Sequence, residues 1–319
     1  MFKKLLAVIL FIPILLCGCS AGSSSSDTET SEKKLSVVTT IFPSYDFACR
    51  IFGDTAEITM LLKPGMESHS YDPSAKDIVK INSCDLFIYN GGESDAWVEN
   101  ILKSSDNINS IRMMDAVEAV EEEHIEGMQQ EEEHENSHDE DHEEYDEHIW
   151  TSPKNAALIV NSITAKAAEL FPDNSDIYKK NGSEYADRIN DLDEKFEKLL
   201  EGERRYFVFG DRFPLLYFFK EYNLNYYAAF PGCGSETEPS AQTIAFLSGK
   251  LSENDTVKTV FYIELSNHKL ADTLAGEYDL PTAEFNTCHN ISADDFNAGE
   301  TYISIMERNY EMLQNALKS

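Results

Sequence analysis

The chain has 319 residues, 58 acidic and 26 basic, for a formal charge of −32. That excess of carboxylate repels a phosphate backbone and excludes nucleic acid as a partner, while favouring cations or a basic protein surface. A hydrophobic share of 42% marks a folded protein, the length suits about two domains, and a single apolar run at the very start excludes a protein threading the membrane repeatedly.

That first run reads as an export signal. Lys3 and Lys4 form its positive end and Leu5 to Leu16 its apolar stretch, short against the roughly 20 residues of a spanning helix. It ends Leu16-Cys17-Gly18-Cys19, followed by Ser20, Ala21 and Gly22. The pattern resembles the bacterial lipobox, in which Cys19 would be lipidated and become the mature N-terminus. Residues 1–19 are thus expected to be a lipoprotein signal peptide, and 20–34 a flexible tether of Ser, Asp, Thr, Glu and Lys. The expected location is the cell membrane, lipid-anchored on the extracytoplasmic face; stable anchoring takes more than one acyl chain. Four cysteines remain after processing: Cys49, Cys84, Cys233 and Cys288. The compartment permits disulfides. Pairs Cys49–Cys84 and Cys233–Cys288 would each stay within one half of the chain, but the spacing leaves free thiols equally open.

Leu35 to Ile41 is β-branched and predicts a strand. Pro43 opens a helix to Ile51. Ala56 to Leu62 predicts a second strand, stopped by Pro64-Gly65, and Pro73 to Ile81 has helical spacing. Asp85 to Tyr89 predicts a third strand, stopped by Gly91-Gly92, and a helix follows from Asp95 to Lys103. Strands alternating with helices imply βαβ units and a mostly parallel sheet. Residues 118–147 hold sixteen Asp or Glu and no Lys or Arg; such a self-repelling segment is expected to be a mobile loop. From Asp173 to Glu201 one long helix is expected, because Tyr185, Ile189, Leu192, Phe196 and Leu199 recur on one face. Tyr206–Phe209, Asn225–Ala229, Thr259–Ile263 and Thr282–Asn286 predict strands. Helices are expected near 212–221, 239–251, 267–278 and 299–317. The organisation expected is α/β: an N-terminal lobe (35–172), a linking helix (173–201) and a C-terminal lobe (202–319), each lobe a mostly parallel sheet flanked by helices.

Three histidines stand at strand-to-helix junctions, where parallel sheets bind ligands: His69 in the turn Pro64–Pro73, His148 after the acidic segment and before the helix at Pro153, and His289 in Thr287-Cys288-His289-Asn290. Their convergence suggests one site. His268 starts a helix outside this pattern and is expected to be exposed.

The stretches VVTTIFPSYDF (37–47), LLKPGMESHSYDPSAKDI (61–78), CDLFIYNGGESDAWVEN (84–100), HIWTSPKNA (148–156) and ETEPSAQTIAFL (236–247) occur in one order across nearly the whole mature chain. Together they resemble the metal-specific solute-binding lipoproteins of ABC importers (cluster A-I), in particular the zinc-uptake branch, where an acidic, His-bearing insertion before the second ligand histidine is typical. The resemblance implies two α/β lobes joined by one long helix, a metal in the cleft, and a noncatalytic receptor delivering Zn²⁺ to a membrane permease. A manganese or iron receptor of the same family and a surface adhesin are the alternatives. His69 and His148 match the family's first two ligands. The third is usually a histidine in a pattern like F-x-x-H-x-x-F, and here Gly210 occupies its place. The expected set is therefore His69, His148 and His289, completed by Asp211, Cys288, Glu236, Glu264 or water. Arg212 stands ready to neutralise Asp211.

Three imidazoles and one further donor suit zinc, whereas manganese favours more carboxylate. Glu67, Glu236 and Glu238 are candidates to accept the second N–H of each imidazole. His124, His134, His138 and His142, with the carboxylates around them, would capture zinc weakly beside the cleft. No G-x-S-x-G motif appears, and the one H-E-x-x-H run, His134 to His138, falls inside the acidic segment, where no apolar residues recur to set it on a packed helix, so no enzyme is expected.

Overall fold

The computed structural model describes residues 34–66, 71–105, 107–129, 145–232 and 238–318. His69, Glu67, Cys19, His134, His138, His142, Cys233 and Glu236 lie outside the described residues.

The first half opens with β1 (Leu35–Thr39), whose Val37 and Val38 are buried on opposite faces, as expected of a central parallel strand. It leads into α1 (Phe42–Phe52), with Pro43 in the first turn, and then β2 (Ala56–Met60). Ser74 caps α2 (Ala75–Ser83) by accepting from the Asp77 amide. β3 (Leu86–Tyr89) and α3 (Ala96–Lys103) follow. β4 (Ser110–Arg112) was not expected, because three residues are too few to show alternation. The four strands run parallel in the order β2-β1-β3-β4.

Two helices then pack side by side: α4 (Pro153–Leu170) and α5 (Ser175–Leu200). α5 is the expected long helix, about 39 Å at 1.5 Å per residue. Its first half packs on α1, where Tyr178 meets Phe52 at 4.9 Å between ring centroids and Tyr185 donates to Asp46 at 2.5 Å. The second half packs on the other sheet's helices. Leu200 rather than Leu199 ends the buried face, because the stripe continues four residues after Phe196.

The second half of the chain carries β5 (Tyr206–Phe213), α6 (Leu216–Glu221), β6 (Asn225–Pro231), α7 (Ala241–Glu253), β7 (Val260–Ile263), α8 (Lys269–Glu277), β8 (Thr282–Phe285), α9 (Ala293–Ala298) and α10 (Tyr302–Lys318). Its strands are again parallel, in the order β6-β5-β7-β8. Two expectations are corrected here. The helix expected from 212 begins only at Leu216, because β5 runs on to Phe213 and Pro214 keeps the residue before it extended. The helix expected over 299–317 is preceded by the separate α9, which Ser292 caps and Gly299 ends in a left-handed conformation.

Phe196 of α5 meets Phe218 of α6 edge-on at 5.1 Å, and the Tyr222 hydroxyl donates to Asp193 at 2.6 Å. One apolar core consequently runs from Val37 and Phe47 through Ile189 and Phe196 to Phe285 and Leu313. Among the described residues no helix is long and apolar enough to cross a membrane.

The acidic segment does not behave throughout as the mobile loop expected. Its ends are docked. Val120 N–H donates to the Tyr217 hydroxyl at 3.0 Å, Asp146 N–H to the Val120 carbonyl at 2.9 Å, and Gln129 N–H to the Ala229 carbonyl at 2.8 Å. Val120, Ile125 and Met128 supply the apolar anchors that the count of charges hid. Cys49, Cys84 and Cys288 are free thiols, so neither half-confined pairing considered from the sequence forms.

Candidate metal centre

The carboxyl ends of β1, β2 and β3 and the loop after β8 meet at one cleft, lined by Thr40, Leu62, Tyr71, Asn90, Asp95, Glu147 and His289 among others. His148 stands beside it, next to Glu147 of the lining, between the docked acidic segment and a single helical turn, Ile149–Thr151, that feeds α4. Two bonds to one carboxylate oxygen hold it. Asp146 Oδ1 accepts from the His148 backbone N–H at 2.7 Å and lies 3.0 Å from its Nδ1. With Nδ1 as the donor, Nε2 is the unprotonated nitrogen, the one able to offer a lone pair to a metal. The residue orienting His148 is thus Asp146, and not Glu238, which is exposed and lines a separate cleft beside Asp211.

His289 arrives from the other sheet. Cys288 before it adopts a positive φ of 59°, and the His289 amide donates to Thr287 Oγ1 at 3.2 Å. Thr287 is itself fixed to Glu264, through its amide at 2.7 Å and its hydroxyl at 2.6 Å. Asn290 donates to the carbonyls of Lys63 and Met66, and Gly65 N–H donates to the Ile291 carbonyl at 2.9 Å. The His289 loop therefore grips the turn that leads directly into residues 67–70. Both flanks of that segment, Met66 and Tyr71, border this region.

The imidazoles of His148 and His289, 3% and 9% exposed, lie 5.1 Å apart between ring centroids at an interplanar angle of 75°. Two imidazoles on one tetrahedral zinc, each about 2.0–2.1 Å from it, set their centroids roughly 5 Å apart. The centroid spacing of the pair matches that of two imidazoles on one such ion.

The other expected donors stand differently. Gly210 sits in an irregular stretch of β5 where pairing with β6 shifts register. A Cβ there would lie 2.5 Å from Ala271 Cα on α8. The strand passes too close to that helix for any side chain, which accounts for glycine at this position. Asp211 is 7% exposed; its Oδ1 accepts from Arg212 N–H at 2.8 Å and its Oδ2 from Ile263 N–H at 3.2 Å. Each oxygen of Glu264 is bonded by Thr287, and burial raises its pKa. Cys288 is fully buried, and burial raises its thiol pKa well above the ordinary value. Among the described residues no three His, Cys, Asp or Glu side chains form a group able to hold a metal. The structure thus brings His148 and His289 together and does not bring Asp211, Glu264 or Cys288 to them. His124 is exposed on the docked segment. His268, half exposed, pairs with Asp272 at 2.8 Å away from the cleft.

Sequence reasoning missed the carboxylates on the first sheet's edge. Asp95 Oδ2 accepts from the amides of Asn90 (2.8 Å) and Gly91 (3.1 Å) and from Thr40 Oγ1 (3.4 Å). Burial first, then the nearby Glu147 charge, push its pKa up to about 7. Glu147 is bonded by the Ser94 amide at 3.1 Å and by its hydroxyl. Gly92, at φ +81°, is what lets Glu147 in, since a Cβ there would lie 2.4 Å from its Oε2. The Gly91-Gly92 pair after a strand was the available signal.

Residues 37–316 match the family described as ZnuA, zinc-uptake complex component A, periplasmic. The chain is 34% identical over 325 residues to the high-affinity zinc uptake system protein ZnuA of Bacillus subtilis, covering 99% of both. It is 30% identical to the zinc-binding lipoprotein AdcA of Streptococcus pneumoniae over 91% of its own length but only 57% of AdcA. Among solved structures, the Zn(II)-bound ZnuA-like domain of S. pneumoniae AdcA superposes with a TM-score of 0.74 at 28% identity, covering 90% of this chain and all of that domain. The metal-dependent lipoprotein YcdH of B. subtilis gives 0.73 at 30% identity, over 89% of this chain and all of that one.

Proposed function

The chain belongs to the ZnuA family of zinc-uptake components, and from that premise we propose an extracytoplasmic receptor that binds Zn²⁺ and delivers it to the membrane permease of an ABC importer. The observation that carries this reading is the His148–His289 pair, contributed by the two halves of the chain at 5.1 Å, a spacing that supports joint ligation of one tetrahedral ion.

His69 is the third ligand in this reading, on the strength of its sequence position alone. The fourth falls to Glu236 or to water, because Asp211 and Glu264 are bonded elsewhere and the Cys288 thiol is fully buried with a raised pKa. An imidazole-rich set supports zinc over manganese. The protein acts as a carrier: zinc is cargo that must leave again, so the permease has to favour a state of the cleft that binds it less well. Cys19 carries the lipid anchor, and the histidines of residues 118–147 concentrate zinc near His148.

A competition titration of the mature protein with Zn²⁺ and Mn²⁺ tests this. Tight, stoichiometric zinc binding that excess manganese does not displace is expected. Preferential manganese binding would overturn the zinc assignment.

A further inference from the structure

We propose that Trp150 is a positioning residue for the metal: its indole packs against both histidines and hydrogen-bonds across the cleft, holding them at ligand spacing before zinc arrives. The inference rests on His148 and His289 being ligands, the reading given above.

Trp150 is two residues beyond His148, and its side chain is fully buried. Its ring lies 5.6 Å from that of His148 and 5.2 Å from that of His289. Its Nε1–H donates to the Thr287 carbonyl at 2.8 Å, a bond between residues 137 apart in the chain. Both ends of this clasp are anchored. On the far side, Thr287 is locked to Glu264 at the end of β7. On the near side, the Trp150 carbonyl accepts from the Tyr302 hydroxyl at 2.8 Å. Tyr302, first residue of α10, gives its amide to Asp46 of α1 at 3.2 Å, and the same carboxylate oxygen takes the Tyr185 hydroxyl of α5. One buried chain of hydrogen bonds thereby joins α5 and both halves, and the two imidazoles pack against the indole within it.

The physical consequence is preorganisation. Two ligands from different halves separate with any relative motion of those halves, and binding then has to bring them back at an ordering cost. An indole suits the position because its ring packs against both imidazoles while its N–H reaches the Thr287 carbonyl. Phenylalanine would keep the packing but leave the Thr287 carbonyl without its donor in a buried setting.

The test uses the full mature chain carrying Trp150→Phe, with His289→Ala and the remote core variant Phe196→Leu as comparators. The readouts are zinc dissociation into excess chelator, the visible absorption of the Co²⁺-loaded protein, and the thermal midpoint of the metal-free protein. Trp150→Phe is expected to release zinc at least about tenfold faster and to alter the cobalt bands, the scale of losing an outer partner of a metal ligand. Phe196→Leu is expected to lower the midpoint without either change. Should Trp150→Phe not fold, Tyr302→Phe carries the test: release about threefold or more above the parent supports the clasp, and the parent rate overturns it. If His289→Ala abolishes tight binding while Trp150→Phe keeps the parent rate and spectrum, the positioning role alone is overturned. If His289→Ala retains tight zinc, the ligand reading falls and the positioning role with it.

Discussion

The carboxyl edges of the two sheets share one strand order, β2-β1-β3-β4 and β6-β5-β7-β8, and both carry buried acids, but those acids face different partners. On the second edge, both oxygens of Asp211 are bonded by amides of β5 and its neighbour β7, and both oxygens of Glu264 by Thr287. Asp211 ties β5 to β7, and Glu264 fixes the loop that presents His289. On the first edge, all three bonds to Asp95 arrive at Oδ2, and Asp95 and Glu147 line the cleft itself. The second edge therefore offers a nitrogen ligand on a rigid mount, whereas the first adds a negative field beside it. Both oxygens of Asp211 are committed to holding the sheet, whereas the bonds to Asp95 leave its Oδ1 outside them.

The largest effect that can break this comparison is at the ligands. Replacing His148 or His289 by alanine is expected to weaken zinc binding by well over ~100-fold, beyond what loss of an outer partner costs. Asp211→Ala is expected to leave zinc affinity within about threefold while costing about 1–3 kcal/mol of stability from two orphaned amides. A chelator-competition titration with matched denaturant curves reads both. A large affinity loss in Asp211→Ala would put it among the ligands and erase the distinction between the two edges.

Gly210→Ala comes next. The added Cβ, 2.5 Å from Ala271 Cα, is expected to cost about 1–3 kcal/mol by overpacking and to lower the thermal midpoint by several degrees, with zinc affinity retained. An undiminished midpoint would show that β5 and α8 have room for a side chain.

The smallest effect is a pH slope on the first edge. The Asp95 pKa is raised from 3.8 to about 7, so the fold prefers its protonated form. Its contribution to stability is fully present below about pH 4 and is lost as pH rises to about 7. The stability of the metal-free parent relative to Asp95→Asn is therefore expected to fall across that window and then level off. Parallel pH curves for the two proteins would remove Asp95 as a charged neighbour of the cleft.

Much of the fold was legible because its signals are local. The β-branched run at Leu35, the Pro-Gly and Gly-Gly stops and the apolar stripe on α5 each declare an element within a few residues. β4 and α9 were too short to do so. His289 was legible by its position after a strand, whereas His148 follows no strand among the described residues and was legible only by its place just before the helix at Pro153. Asp211 stood among the candidates for the remaining donor, since nothing in the local sequence tells that Ile263, 52 residues away, takes one of its oxygens. The same holds for Trp150: its indole donates to a carbonyl supplied by the other half of the chain. The docked part of the acidic segment was hidden by its charge, although Ile125 and Met128 were present to be read.

The central claim, that one imidazole from each half of the chain grips a single ion, is tested most directly by a crystal structure of the zinc-loaded protein. One zinc is expected within about 2.0–2.1 Å of a nitrogen of both His148 and His289, with Asp211 still bonded to the Ile263 amide. Zinc bound by only one of these histidines, or by Asp211 in place of His289, would contradict the account.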